Sequence, residues 1–362
     1  MRYLALCIPL FALLSACSSK PVPPAEAPLT SAPSGFLLQP DHSALLQNGD
    51  FAADPAMERF VDKMVAEHGF DRQQLYNVLA QTKRLDWVLR LMDQQAPSAL
   101  PSTVPNGAWL RYRSKFITPD NVQNGVAFWN QYQDALQRAY QVYGVPPEII
   151  VGIIGVETRW GRVMGKTRTI DALATLAFAY PRRADYFAGE LETFLLMARS
   201  EGDDPLSLRG SYAGAMGYGQ FMPSSFKSYA VDFDGDGHIN LWDPVDAIGS
   251  IANYFQAHGW VRGGAVAVPA IGQAPGFDQG YDTHYAIATL EGAGLSPQSS
   301  LQGNQEASLL RLDLGNRYQY WYGLPNFYAI TRYNHSTHYA MAVWQLGEAV
   351  SQARQGNMLA AN

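Results

Sequence analysis

The chain has 362 residues, of which 47% are hydrophobic and 16% are charged, and its formal net charge is -6. This composition is typical of a globular protein that can bury a substantial core, and it excludes a fibrous or broadly disordered chain. The negative charge offers no basic surface for a phosphate backbone, so no nucleic acid is expected as a partner.

The first 17 residues have the features of an export signal. Arg2 supplies a positive charge, residues 3–14 are largely apolar, and the run Leu-Ser-Ala-Cys that ends at Cys17 resembles the cleavage motif of bacterial lipoproteins. We expect Cys17 to become the lipidated first residue of the mature chain; an ordinary secretory cleavage with Cys17 incidental is the alternative. Because Ser18 and not Asp follows, the pattern resembles that of outer-membrane lipoproteins facing the periplasm of Gram-negative bacteria.

Cysteine usage narrows the chemistry of the mature chain. Cys7 lies within the predicted signal, so no cysteine pair remains although the chain would fold in an oxidising compartment. A thiolate zinc site and a cysteine nucleophile are therefore disfavoured. Stability must come from packing or from a bound metal.

The rest of the chain divides by composition. Residues 18–50 are rich in Pro, Ala and Ser, which is typical of an extended tether. Apolar residues then recur at helical spacing, as at Phe60 and Met64, whereas short β-rich runs broken by Gly and Pro follow Trp260. We predict a mainly α (α+β) protein with a helical N-terminal region (51–110), a core domain (111–261), a small β-containing subdomain (262–325) and a C-terminal return to the core (326–362).

One carboxylate stands at the end of an apolar helical segment. Pro147 is tolerated in a first helical turn, and Glu157 follows Ile153 by four residues, so it shares a face with buried isoleucines. Burial and the negative end of the helix dipole both favour a protonated carboxyl group, as a general acid near neutral pH requires. A buried ion pair with Arg159, Arg162 or a more distant Arg is the alternative that the spacing leaves open.

A second pattern is an acidic loop. Asp232, Asp234 and Asp236 occupy positions 1, 3 and 5 of an EF-hand-like loop, Gly237 allows the sharp turn at position 6, and His238 offers its backbone carbonyl at position 7. Three carboxylates at this spacing repel one another unless a cation lies between them. We therefore predict bound Ca²⁺ with a structural role; a solvated acidic turn is the alternative.

Three segments occur in an order that is typical of one enzyme family. The motifs ETRWG at Glu157, GAMGYGQFMPSSF from Gly214 and RYN ending at Asn334 together resemble the membrane-bound lytic transglycosylase B family, over residues 55–350. The resemblance implies a lysozyme-like core domain. It also implies a peptidoglycan lytic transglycosylase for cell-wall turnover, a lyase that cleaves the MurNAc-β-1,4-GlcNAc bond and leaves a 1,6-anhydroMurNAc end.

The same resemblance implies roles for individual residues. Glu157 would be the sole catalytic carboxylate, first as acid and then as base, while the substrate's 2-acetamido oxygen replaces a second carboxylate and the 6-hydroxyl attacks in place of water. The implied substrate-binding residues are Gln220, Ser211, Tyr254, Tyr333 and Asn334, with Arg182 and Arg183 for acidic groups of the stem peptide. A solvated helix surface is the alternative for the two arginines.

The resemblance bears on the last calcium ligand as well. Position 12 of a standard loop is Glu, but here it is Asp243, whose shorter side chain reaches the ion poorly. The family uses a longer loop, so Asp246 is the expected closing ligand and Asp243 the alternative.

The sequence leaves other functions open as alternatives. A goose-type lysozyme-like hydrolase would share the fold and use water, and a non-catalytic peptidoglycan-binding lipoprotein would keep the cleft without the chemistry. Ser224 and Lys227 form the Ser-x-x-Lys opening of penicillin-binding serine enzymes, but the companion motifs are missing from the sequence. The expected partners are peptidoglycan glycan strands and an outer-membrane lipid anchor; cell-wall synthases are a further class that the resemblance leaves open.

Overall fold

The computed structural model describes residues 49–52, 54–94, 104–273 and 276–361; the predicted signal with Cys17, and the tether up to residue 48, lie outside the described residues. The helices in these ranges are α1 (Pro55–His68), α2 (Arg72–Leu79), α3 (Asp86–Gln94), α4 (Ala108–Arg113), α5 (Pro119–Gln131), α6 (Gln133–Tyr143), α7 (Pro147–Thr158), α8 (Thr169–Ala179), α9 (Ala184–Glu201), α10 (Pro223–Tyr229), α11 (Pro244–Ala257), α12 (Ile287–Gly292), α13 (Pro325–Tyr333) and α14 (Thr337–Ala361). The strands there are β1 (Thr167–Arg168), β2 (Arg209–Gly210), β3 (Ala267–Ile271), β4 (Tyr285–Ala286), β5 (Ser296–Pro297), β6 (Glu306–Asp313) and β7 (Tyr318–Gly323).

The N-terminal helices are joined to the core. Asp54 caps α1 by accepting the Ala56 N–H at 2.8 Å, and Gly69 ends the helix in the left-handed conformation, with φ of 63°. α1 packs on α2 and α8, and α3 also packs on α8. The buried Met64 of α1 therefore belongs to the same hydrophobic cluster as the centre of the protein.

Helix α7 is buried along its length. Its residues Ile149, Ile150, Ile153 and Ile154 are each at most 1% exposed, because α5, α6, α11 and α14 all pack against it. A helix that is apolar all round is a core helix in a globular protein.

No single helix in the described ranges is long and apolar enough to cross a membrane, and α6 and α7 reach the required length and composition only together, across a bend of 117°.

Glycines let α7 and α14 touch backbone to backbone. A Cβ atom added to Gly152 would lie 2.3 Å from the carbonyl oxygen of Val343, and one added to Gly347 would lie 2.1 Å from that of Glu148. Both distances are far below van der Waals contact, so a larger residue at either position would force the two helices apart. The close antiparallel approach places the start of α14 beside the end of α7.

The larger sheet lies within residues 267–323. Its strands are in the order β4-β6-β7-β3-β5, and every pair of neighbours is antiparallel. In the central pair, Leu310 is opposite Trp321 and Leu309 is opposite Tyr322. Leu310 and Trp321 belong to the main core, whereas Leu309 and Tyr322 belong to a separate apolar cluster with Leu290 of α12. The sheet therefore packs on the core with one face and carries its own small core on the other.

Candidate active site

Glu157 is the second-last residue of α7, and the chain turns sharply after it. The next residues Arg159 and Trp160 both adopt left-handed conformations, with φ of 50° and 56°. Their N–H groups donate to the carbonyl oxygens of Gly155 at 3.2 Å and Ile154 at 3.3 Å, which closes the helix. Two successive non-glycine residues in this region are strained, and strain of this kind is often held at functional sites.

Packing around Trp160 holds this turn in place. A Cβ atom added to Gly125 or Gly155 would lie 2.8 Å or 2.6 Å from the Trp160 ring, so the indole occupies a slot that glycines of α5 and α7 leave free. The Thr158 hydroxyl lies 3.1 Å from the carbonyl oxygen of Tyr218. The end of α7 is therefore tied to the loop that carries the predicted Gln220 segment.

The Glu157 carboxyl group contacts a tyrosine from α14. The Tyr339 hydroxyl donates to Glu157 Oε1 at 2.5 Å, and Tyr339 itself is 3% exposed. Burial raises the pKa of Glu157 from 4.5 to about 7, against the opposing effect of the Tyr339 hydrogen bond. At neutral pH the carboxyl group can therefore both give and take a proton.

The ion-pair alternative is not what the structure contains. Arg162 donates to the side-chain oxygen of Asn124 at 2.7 Å, and Arg159 is exposed. Within the described residues Glu157 forms no salt bridge, and burial, not another charged side chain, raises its pKa. Its Oε1 accepts the Tyr339 hydroxyl, and no ion pair among these residues holds the carboxyl group.

Two predicted tyrosines form an aromatic wall next to Glu157. Burial, and then the negative charge of Glu157, raise the pKa of Tyr333 well above its ordinary value. The Tyr333 hydroxyl donates to the carbonyl oxygen of Gly219 at 2.6 Å, and the Tyr254 hydroxyl donates to that of Arg332 at 2.6 Å. The two rings meet edge to face at 4.9 Å between centroids. Both hydroxyls are therefore occupied by backbone, and the rings contribute shape.

Gln220 and Ser211 shape the neighbouring loop. Gln220 is left-handed, with φ of 52°, and its side-chain nitrogen donates to the carbonyl oxygens of Gly217 at 2.9 Å and Met164 at 3.3 Å. The Ser211 hydroxyl oxygen accepts the Ala215 N–H at 3.0 Å. As assigned from these bonds, the Gln220 amide oxygen is the end of the side chain that remains for a ligand.

The remaining predicted substrate residues lie in other surroundings. Arg182 is exposed and forms a 3.4 Å ion pair with Asp93, and the guanidinium of Arg183 lies 4.3 Å from the centre of the Tyr186 ring. Asn334 is exposed just after α13. No contact described in the structure joins any of these three side chains to Glu157.

Sequence reasoning missed three residues at the site. Tyr339 is one; Tyr112 of α4 is another, because burial and then the charge of Glu157 raise its pKa. The His338 ring lies 5.5 Å from Trp109 and 5.6 Å from Tyr112 between ring centroids, and burial lowers its pKa. The signal available was the spacing of His338 and Tyr339 in the C-terminal helix, soon after the RYN motif.

The acidic loop brings three carboxylates together. Single oxygens of Asp232, Asp234 and Asp246 all lie within 4.8 Å of one another. Asp246 is 1% exposed and accepts the backbone N–H groups of Phe233 at 2.7 Å and Asn240 at 2.8 Å. These bonds fix the buried carboxylate under the loop.

The other loop residues are placed differently. Asp243 caps α11 by accepting the Val245 N–H at 2.6 Å. Asp236 accepts the His238 N–H at 2.8 Å and is not part of the three-carboxylate cluster, and the His238 ring lies 4.0 Å from Glu201. The structure therefore brings Asp246, and not Asp243, to the first two loop aspartates.

The Ser-x-x-Lys pattern is not a nucleophile with its base. The Ser224 hydroxyl donates to Glu190 Oε1 at 2.7 Å, and the Ser224 N–H donates to Glu190 Oε2 at 2.9 Å. Glu190 is 3% exposed, so Ser224 satisfies a buried carboxylate.

Comparison with known proteins decides the family. The family model for the transglycosylase SLT domain matches residues 52–348 of the chain. The chain belongs to this family. The membrane-bound lytic murein transglycosylase B of Escherichia coli (strain K12) is 72% identical over 356 residues, which are 98% of this transglycosylase and 98% of that protein.

Solved structures of related lytic transglycosylases have the same fold. The E. coli lytic transglycosylase Slt35 in complex with calcium has a TM-score of 0.83 and 73% identity, covering 88% of this chain and 99% of that one. SltB3 from Pseudomonas aeruginosa in complex with NAG-anhNAM-pentapeptide has a TM-score of 0.71 and 32% identity, covering 81% and 78%. The predicted family, the mainly helical lysozyme-like fold with a small β subdomain, and the lytic transglycosylase class of enzyme are confirmed; the hydrolase and scaffold alternatives are not favoured.

Proposed function

We propose that Glu157 is the single general acid/base with which the protein cleaves the MurNAc-β-1,4-GlcNAc bond and forms a 1,6-anhydroMurNAc end. The protein is a lytic murein transglycosylase, like the E. coli relative that shares 72% of its residues. The observation that carries the role of Glu157 is its partly buried position next to Tyr339, with a pKa raised to about 7.

The hydrogen bond from Tyr339 assigns the two carboxyl oxygens. Since Tyr339 donates to Oε1, the proton of the neutral acid resides on Oε2. Oε2 then delivers the proton to the glycosidic oxygen and, once ionised, takes a proton from the attacking 6-hydroxyl. The same group serves both steps because its pKa lies near the working pH.

The surroundings of Glu157 support a mechanism with one carboxylate. A conventional retaining glycosidase holds a second carboxylate about 5–5.5 Å from the acid. No second carboxylate is among the causes of the Glu157 pKa shift. The family resemblance implies that the substrate's own 2-acetamido oxygen acts as the nucleophile and that the 6-hydroxyl then closes the anhydro ring. The anhydro sugar in the SltB3 complex is the product class that this route gives.

Substrate binding is proposed for the residues that flank Glu157. The Gln220 amide oxygen would accept a sugar hydroxyl, while Ser211 holds the loop that carries it. Tyr254 and Tyr333 would line the cleft with ring faces and help exclude water from the intermediate. Asn334, and Arg182 and Arg183 for the stem peptide, stay predictions from the family resemblance.

The acidic loop is proposed as a structural Ca²⁺ site. Its donors are all oxygens, which suits a hard cation. Asp232, Asp234 and Asp246 would hold the ion, and Asp236 and the His238 carbonyl would complete the set. The crowding of three carboxylates, one of them buried, supports a cation, and the Slt35 relative was solved with calcium. Bound Ca²⁺ would cross-link the loop to α11 and take no part in proton transfer.

Membrane attachment is proposed through Cys17. The E. coli relative is named as membrane-bound, which supports a membrane-associated protein. An acylated Cys17 followed by Ser18 would place the enzyme on the outer membrane, facing the periplasm and the glycan strands. Cell-wall synthases stay a proposed class of partner.

A pair of substitutions on one helix tests the role of Glu157. Glu157→Gln keeps the shape of the side chain and removes the acid, so turnover of purified peptidoglycan should fall by about 10²–10⁴-fold. Glu148→Gln, in the first turn of the same helix, is the control and should keep wild-type turnover. Equal activity of the two variants would remove Glu157 from the mechanism.

A further inference from the structure

Asp313, the last residue of β6, ties the β subdomain to helix α4. Its Oδ2 accepts the N–H of Asn106 at 2.8 Å, and its Oδ1 accepts the N–H of Gly107 at 2.8 Å and that of Gly315 at 2.8 Å. Against the opposing effect of desolvation, these N–H groups and that of Ala108 lower the pKa of Asp313 to about 2. An ionised side chain of the β subdomain therefore fixes the place where α4 begins.

Helix α4 carries two aromatic side chains that pack on His338 of α14. Trp109 and Tyr112 are three residues apart, so they share one face of α4, and their rings stack at 6.4 Å between centroids. The His338 ring lies 5.5 Å from Trp109 and 5.6 Å from Tyr112. Burial lowers the pKa of His338, against the opposing charge of Asp313, so the imidazole is neutral at pH 7. These three rings, Trp109, Tyr112 and His338, form a cluster that joins α4 to the start of α14.

The ring cluster borders the catalytic carboxyl group. His338 directly precedes Tyr339, whose hydroxyl donates to Glu157 Oε1 at 2.5 Å. Burial, and then the negative charge of Glu157, raise the pKa of Tyr112. Tyr112 also contributes, after burial and Glu157, to the raised pKa of Tyr339. The packing and these charge effects together place Tyr112 at the wall of the Glu157 site.

The acidity of Glu157 depends on how well this wall excludes water. Glu157 is partly buried, and desolvation has a larger effect on its pKa than the hydrogen bond from Tyr339. The titratable groups that face it from α4, α13 and α14 are Tyr112, Tyr333 and Tyr339, which carry no charge at neutral pH. An α4 that moved outward would admit water and lower the pKa of Glu157 toward its ordinary value.

We propose that Asp313 and His338 are positioning residues that hold Tyr112 against Glu157, and that the β subdomain in this way helps to shape the catalytic site. Asp313 acts by anchoring the start of α4, and His338 acts by packing on the Tyr112 ring. Neither side chain needs to touch the substrate. The proposal rests on the proposed function, because it concerns the proton affinity of the same carboxyl group.

The pH dependence of kcat/KM for the formation of anhydro ends tests the role of Asp313. Asp313→Ala removes both acceptor oxygens, so water should reach Glu157 and the alkaline limb should move from about 7 to lower pH by about one unit. Asp313→Asn keeps one acceptor oxygen and should leave the limb close to its wild-type position.

A matched control separates positioning from a general loss of stability. Asp71 caps α2 by accepting the Gln74 N–H at 2.8 Å, and α2 packs on α1. Asp71→Ala therefore also deletes a capping carboxylate. It should lower the melting temperature, as Asp313→Ala does, but leave the alkaline limb in place.

Substitutions in the ring cluster test the role of His338. His338→Ala should move the limb in the same direction as Asp313→Ala, whereas His338→Phe keeps an aromatic ring and should restore the wild-type position. The double variant Asp313→Ala/Tyr112→Ala should move the limb no further than Tyr112→Ala alone, because both changes act through one ring.

The outcomes distinguish this proposal from the proposed function. A limb that stays in place in Asp313→Ala and His338→Ala, or that moves equally in Asp71→Ala, would overturn the positioning role and leave the role of Glu157 standing. Failure of the wild-type protein to form anhydro ends, or wild-type turnover by Glu157→Gln, would instead refute the proposed function.

Discussion

The Tyr339 hydroxyl donates a 2.5 Å hydrogen bond to Glu157 Oε1, although the two residues are 182 positions apart in the sequence. The bond exists because Gly152 and Gly347 let α7 and α14 meet backbone to backbone. It stabilises the ionised carboxylate, while burial stabilises the neutral acid more strongly, and the balance sets the pKa of Glu157 at about 7.

Removing this bond should shift the pH dependence of the reaction. The acid must be protonated, so kcat/KM should fall as pH rises through about 7. Tyr339→Phe removes a donor that stabilises the anion, which raises the pKa of Glu157 and moves the alkaline limb to higher pH. Steady-state kinetics from pH 5 to 9 measure this shift. A limb that stays in place, or moves to lower pH, would contradict the assigned role of Tyr339.

The partly buried carboxyl group of Glu157 should also cost stability at high pH. The folded pKa of about 7 exceeds the ordinary value of 4.5, so the folded state is favoured below pH 4.5 and loses that advantage as pH rises to about 7. Glu157→Gln should therefore raise the free energy of unfolding by up to about 3 kcal/mol at pH 8 and by little at pH 4. Denaturant titrations at both pH values measure the difference.

A control separates this effect from a general loss of charge. Glu291→Gln replaces an exposed glutamate and should leave the difference between pH 4 and pH 8 as in wild type. A Glu157→Gln variant that is less stable than wild type at pH 8 would show that the carboxylate is stabilised in the fold rather than strained.

Calcium should stabilise the fold through Asp246. Added Ca²⁺ at 100 times its Kd should increase the unfolding free energy by about 2.7 kcal/mol, and a chelator should reverse the gain. Asp246→Asn should lose the effect because it removes the buried charge from the cluster. Asp243→Asn should retain it, since Asn also caps helices well. Calcium-dependent thermal melts distinguish the two; the opposite pattern would make Asp243 the closing ligand.

Two glycines of α14 offer a matched pair of substitutions. Gly347→Ala would place a methyl group 2.1 Å from the Glu148 carbonyl oxygen, so it should destabilise the protein by about 1–3 kcal/mol or more and lower activity by displacing Tyr339. A Cβ atom at Gly356 meets nothing within 4 Å, so Gly356→Ala should stabilise slightly. Similar melting temperatures for the two variants would mean that α14 shifts freely on α7.

The sequence predicted those features that depend on local patterns. The isoleucine spacing placed Glu157 at the end of a buried helix, and the short β-rich runs after Trp260 marked the region of the larger sheet. The sequence did not indicate Tyr339, because its role depends on contact between distant helices, which no periodicity encodes.

In the loops too, sequence patterns predicted only the contacts that are local in the chain. Asp232, Asp234 and Asp246 could be proposed from spacing together with the family resemblance, because a calcium loop is a local motif. The hydroxyls of Tyr254 and Tyr333 could not be assigned, because their backbone acceptors lie on other segments. A polar cavity lined by Arg311 and Thr337 could not be found from the sequence, since its lining comes from a loop, two strands and a helix that only the fold brings together.

The mass of the reaction products tests the central claim most directly. Purified peptidoglycan is digested with the wild-type protein and with Glu157→Gln, and the released muropeptides are weighed by mass spectrometry. The account predicts 1,6-anhydro ends from the wild type and almost none from the variant. Products heavier by one water, or anhydro ends that persist in Glu157→Gln, would contradict it.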